Sequence, residues 1–308
     1  MTYFIFTFIN VILPIFIIIM AGALINTIFH IDIKSFTKLQ FYLLMPVMLF
    51  VKVYESELSG TVISVAATAV VVVILLINIL SRLIAKIRGY SKSESSVFIN
   101  SSTYFNAGNF SLPITQLLFN DPTALSIQAI ILMVHNLTFF TLGVFTAGTG
   151  NRSPKDAFTY LLKMPLLYFM GLAAIMRSNG IQIPDPIMDP LLIISNGYMS
   201  IALLTLGAQL SETKFTFTNR RIYLSSFIRL LVSPAVAYLI VSLMGVHGIL
   251  ARVIVIAFGA PTAVNVVLSS IELDNEPEFA SQAVFTSTIL SMVTINLVIM
   301  AAFALIPA

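Results

Sequence analysis

Two apolar stretches of this 308-residue chain are interrupted by the same kinds of residue. One reads Asn106-Ala107-Gly108-Asn109-Phe110-Ser111-Leu112-Pro113, the other Phe258-Gly259-Ala260-Pro261-Thr262-Ala263-Val264-Asn265. If both are helices, Pro113 has no N–H for the carbonyl of Asn109 and Pro261 none for that of Ala257. The glycines just upstream, Gly108 among them, loosen the backbone further. A half-helix that starts after such a break presents unpaired N–H groups and a positive dipole end. Two such ends, flanked by the amides of Asn106, Asn109 and Asn265 and the hydroxyl of Thr262, suit a carboxylate. The same residues also fit two kinked helices packed through small side chains, with the amides bonding to their neighbours.

The elements that must carry these residues are membrane helices. Only 9% of the residues are charged, against roughly 25% in soluble domains. The chain is 58% hydrophobic, with a mean hydropathy of +0.99. Apolar runs recur at 3–29, 38–54, 61–81, 96–119, 124–147, 157–177, 189–210, 222–245, 250–271 and 279–306. Each matches a span of about 20 residues, and none alternates as a barrel strand would. The fold expected is therefore all-α, with ten transmembrane helices. The first run lacks a basic leader and a clear cleavage site, so it reads as a span rather than a signal peptide.

The basic residues test that count. Ten spans leave Lys52, Arg177 and Arg252 on the side of the termini and the other 13 Lys and Arg on the opposite side. The positive-inside rule makes the basic side cytoplasmic and puts both termini outside a plasma or inner membrane. A polar break from Gly148 to Asp156 divides the chain into halves, 1–150 and 151–308, of five spans each. Pro14 and Pro165 lie 151 residues apart, and Pro113 and Pro261 lie 148 apart. Five is odd, so a repeat would be inverted, as in many secondary transporters. The competing explanation is that prolines are common in membrane helices.

The runs NAGNFSLP and FGAPTAVN, in ten spans of two inverted halves, resemble the auxin efflux carrier family over essentially the whole chain. That family includes plant auxin carriers and bacterial malate and malonate carriers. The resemblance implies a transport domain of the third to fifth and eighth to tenth helices, with the proline-broken fourth and ninth helices crossed inside it. That domain would move, elevator-like, against a scaffold of the first, second, sixth and seventh helices, and homodimers would form through the scaffold. It also implies an anion site at the crossing. This chain lacks the long hydrophilic loop of the plant carriers, so nothing favours auxin itself as the cargo.

Other ionisable groups carry two readings each. His135, in the centre of the fifth span, is either a proton-coupling site or a neutral imidazole bonding across helices. Lys52 and Glu55, ending the second span, either guide an anion or are ordinary interfacial charges. Arg229, two turns into the eighth span, is expected to snorkel to the cytoplasm. No Cys is present, which excludes disulfides and thiolate ligands, and no metal or cofactor motif is found. There is no phosphate loop, H-E-x-x-H or G-x-S-x-G, so neither an ATP-driven pump nor an enzyme is expected. The basic loops suit topology and anionic lipid, not nucleic acid. The sequence thus reads as a secondary carrier of small organic anions, carboxylates such as malate or malonate or an auxin-like acid. The rival is a receptor that binds such a ligand without transporting it.

Overall fold

The computed structural model describes residues 2–148, 165–213 and 219–307. The described residues are helical apart from short connections and the interruptions below. Among the described residues seven continuous helices are long and apolar enough to cross a bilayer: α1 Phe4–Phe29, α2 Ile33–Tyr54, α3 Gly60–Ile87, α6 Pro122–Ala147, α8 Asp185–Ser211, α9 Arg220–Leu243 and α12 Pro277–Leu305. Between them lie α4 Lys92–Thr103, α5 Leu112–Phe119, α7 Pro165–Ser178, α10 Gly248–Ala257 and α11 Val264–Glu272. The fourth and ninth hydropathic segments are therefore each split in two. The first part of the sixth lies outside the described residues, as do the predicted boundary between the halves and Arg152, Lys155, Lys163 and Lys214.

Prolines shape the long helices without breaking them. The π-helical turns Phe8–Ile12, Gln40–Leu44, Ala107–Ser111 and Ile228–Val232 each end two residues before Pro14, Pro46, Pro113 or Pro234. A proline removes one main-chain donor and its ring crowds the carbonyl four residues back. Widening the preceding turn relieves that crowding and lets the helix continue. The expectation that Pro113 marks the break therefore needs correcting. The chain leaves helical geometry at Tyr104, before Pro113, and resumes it at Ala107. In the other segment Pro261 lies inside the non-helical stretch itself.

Polar caps define where the apolar segments enter and leave. The Asp32 side chain accepts from the Lys34 N–H and the Ser35 hydroxyl at the start of α2, and the Ser35 bond leads in holding that carboxyl below its usual range. Ser91 and Glu94 form a capping box on α4, and Glu94 also pairs with Arg221 at the start of α9.

Close packing is achieved with small residues, the usual device where lipid supplies no hydrophobic drive between helices. A Cβ on Gly22 of α1 would meet the Leu204 carbonyl of α8, and one on Gly207 of α8 would meet the Ile19 carbonyl of α1. These reciprocal contacts press the two backbones together. In the same group α7 and α8 pack on α2. Helices α3, α4, α5, α10 and α11 pack against α6, whose most apolar window is 67% buried, against 33% for α1. Central placement of α6 brings its polar side chains to the two interruptions.

Candidate functional site

The two interruptions are built differently and pair with each other. After α4, Tyr104 is extended and Asn106 has φ −77 and ψ 73. The Ala107 N–H donates to the Phe105 carbonyl at 2.8 Å, which is an inverse γ-turn. After α10 the chain tightens through Gly259 and Ala260, whose N–H groups donate to the carbonyls of Ile256 and Ala257. It then runs extended into Ala263, the N-cap of α11. The two segments meet antiparallel in a single bridge at Phe105 and Thr262. Asn106 N–H donates to the Pro261 carbonyl at 2.8 Å, and Ala263 N–H to the Tyr104 carbonyl at 3.0 Å. Non-helical backbone at membrane depth must find partners inside the protein, and each break supplies the other's.

Side chains complete the arrangement. Asn106 Oδ1 accepts from the Asn109 N–H at 3.1 Å, capping the new helix. The Asn106 carbonyl takes the Ser111 N–H at 3.0 Å. The Asn106 Nδ2 is buried and has no partner. Asn109 Oδ1 accepts from Gln40 of α2 and from the Tyr198 hydroxyl of α8 at 3.3 Å. Gly108 makes the second bond feasible, because a Cβ there would lie 2.5 Å from the Tyr198 hydroxyl. Gln128 of α6 donates to the Ala107 carbonyl at 3.0 Å. His135 Nε2 accepts from the Phe105 N–H at 3.2 Å. An imidazole accepting there is neutral with its proton on Nδ1, and Nδ1 has no partner.

A small space of about 20 Å³ lies against Asn106, Gly108, Asn109, His135 and Asn265. It adjoins a larger cavity of about 280 Å³, with Met45, Asn136 and Asn265 lining both. The larger cavity runs between α2, α6, α7 and α11, its walls mostly apolar, to Lys38 and Glu272 at one end of the bundle. It stops at the paired breaks.

The structure thus gathers four of the expected side chains, Asn106, Asn109, His135 and Asn265, together with Gly108. Pro113, Pro261 and Thr262 line neither cavity. Thr262 is fully buried, its hydroxyl donating to the Ser101 carbonyl at 2.9 Å and its N–H to Ser287 Oγ at 3.0 Å. Lys52 and Glu55 stand 3.9 Å apart near the other end of α2 and line neither cavity. Among the described residues no cluster of His, Asp and Glu could hold a metal ion.

Arg229 corrects the sequence reading outright. It does not snorkel: it is fully buried, because its π-helical turn on α9 faces the ends of α4 and α10. There its guanidinium donates to the carbonyls of Ser102, Thr103 and Phe258 and to Ser233. Gln40, Gln128, Tyr198 and Gln209 were also not singled out by sequence. Each is a polar or phenolic group within a membrane helix, which was the available signal.

With this geometry in place, the family comparison decides the class of protein. The model of the membrane transport protein family matches residues 7–299. The chain belongs to that family, the family of the auxin efflux carriers. A curated relative, an uncharacterized transporter of Methanothermobacter thermautotrophicus (strain Delta H), is 24% identical over 277 residues, covering 86% of this chain and 88% of that protein. The resemblance first seen in NAGNFSLP and FGAPTAVN is therefore borne out. This transporter is a multi-pass helical membrane protein.

Proposed function

We propose that this transporter is a secondary carrier of small organic anions that binds its cargo where the two interrupted helices cross. One observation carries the reading. Asn106 and His135 line the space at the breaks, and their buried Nδ2 and Nδ1 make no hydrogen bond, while among the described residues no Asp or Glu is buried and the one fully buried cation is Arg229. A cation carrier would need an acid at this depth to offset the loss of hydration. An anion needs donors and helix N-termini, which are what stand here. The cargo we favour is a carboxylate such as malate or malonate.

In this reading the two halves form inverted repeats, so one site can face either side in turn. The scaffold would be α1, α2, α7 and α8, a grouping in keeping with their mutual packing. The larger cavity ends beside Lys38 and Glu272. On the charge bias of the loops that end is cytoplasmic, so this conformer would be inward-open. The bonds from Gln40 and Tyr198 to Asn109 would then have to break when the transport domain moves.

Counterflow tests the proposal. Proteoliposomes loaded with unlabelled malate, malonate or an aromatic acid should accumulate the labelled acid, and an imposed pH gradient should reveal any coupling through His135. Saturable binding without flux would instead favour a receptor. No response to any acid from folded, inserted protein would overturn the anion assignment.

A further inference from the structure

Among the described residues the buried guanidinium of Arg229 has no acidic partner, and the family assignment does not explain it. Four of its five N–H groups are used. Nη1 donates to the Ser102 carbonyl at 3.2 Å and the Thr103 carbonyl at 2.6 Å, the last residues of α4. Nη2 donates to the Phe258 carbonyl at 2.8 Å, at the end of α10, and to Ser233 on its own helix. The guanidinium carbon also lies 5.3 Å from the ring centre of Phe105 and 5.8 Å from that of Phe258. One side chain on α9 therefore touches both interrupted segments where each stops being helical.

The electrostatics follow from the helix ends. Each helix C-terminus carries roughly −0.5 of an elementary charge and each N-terminus roughly +0.5. The ends of α4 and α10 together present about −1, which one guanidinium matches. The starts of the helices beyond the breaks, at Ala107 and Val264, present about +1 and meet no carboxylate among the described residues.

We propose that Arg229 is the positioning residue of the paired breaks. It ties the C-terminal ends of α4 and α10 into one unit and cancels their negative potential, so that the positive helix starts dominate the cavity. The clasp holds whatever the cargo is, whereas its benefit to a bound anion rests on the proposed function. Arg229 does not touch the space at the breaks, so it acts through the backbone it holds.

Hydrogen exchange on the full chain in lipid nanodiscs tests the clasp without any cargo. Arg229→Met fills a similar volume but has no donors, and Arg229→Lys keeps the charge. The methionine variant should exchange about 10-fold faster or more in peptides covering 100–106 and 256–263, with α1 and α8 unchanged. The lysine variant should recover part of that protection at both breaks. Wild-type protection in Arg229→Met would overturn the clasp, as would loosening spread evenly through the chain or a lysine variant no better than methionine. If Arg229→Met is not recovered folded, Arg229→Lys against wild type decides. A rise of a few-fold confined to the two breaks supports the proposal, and no rise, or a uniform one, overturns it. Counterflow plays no part in this test, so failure of the anion reading and failure of the clasp are separable.

Discussion

The two interruptions meet backbone to backbone, yet they are made for different tasks. The one at Tyr104–Asn106 is short and ends on an amide. Asn106 caps the helix that follows and keeps one donor free, and Asn109 and His135 stand beside it. The one at Phe258–Ala263 is longer and almost without polar side chains. Its single hydroxyl, on Thr262, is committed to Ser101, and α11 begins without a side-chain cap. The first break offers chemistry to the cavity, while the second mainly holds the first in place. Pairing an adaptable segment with a tied one is a way to keep irregular backbone stable in a membrane without filling every donor.

The sharpest way to break this comparison is Asn106→Asp. The carboxylate keeps the acceptor that caps Asn109, so the fold should survive with an unchanged melting temperature. It also places a negative charge at the helix starts, where the cargo would sit, and like charges brought together out of water cost several kcal/mol. Counterflow of malate or malonate should fall at least about 100-fold. If the cargo were a cation the same change would leave transport intact or improve it.

Which of these roles could be read from the sequence depended on how local the cause was. The interruptions, the buried amides and the family were visible because proline, glycine and asparagine act on their own backbone. The position of the first break was not, since Pro113 is absorbed by a π-helical turn and the chain opens upstream of it. Thr262 looked like a ligand group because a hydroxyl beside a proline break is ambiguous until its neighbour is known, and that neighbour lies 161 residues away. Arg229 was misplaced for the same reason. Snorkelling is the default for a lone arginine near a helix end, and only the meeting of two distant helix ends gives it better partners inside.

Thr262→Val probes the second break. Valine keeps the shape and removes the hydroxyl that donates to Ser101. Losing that buried bond should cost about 1–3 kcal/mol of stability, measured as a lower midpoint of thermal unfolding in detergent. Counterflow per folded molecule should stay within about 2-fold of wild type, since the loss falls on stability rather than on transition-state or cargo contacts. A large loss of transport at unchanged stability would assign Thr262 to the cargo and dissolve the division between the breaks.

The smallest effect belongs to Asn265, the polar residue that the second break does send to the cavity. It is half-buried in the first turn of α11 and lines both the small space and the larger cavity. The helix start beside it has no side-chain cap, so its potential is available to a bound group. If Asn265 shares the proposed cargo contact with Asn106 and Asn109, removing its amide should weaken cargo binding by about 0.5–1.5 kcal/mol, the net value of one hydrogen bond. Asn265→Ala should therefore raise KM for malate or malonate counterflow about 2- to 10-fold with little change in maximal rate. Asn265→Asp sharpens the contrast, because it sets a carboxylate on the second break without disturbing any cap. If Asn265→Asp is as damaging as Asn106→Asp, both helix starts face the cargo equally. If it is several-fold milder, binding is centred on the first break.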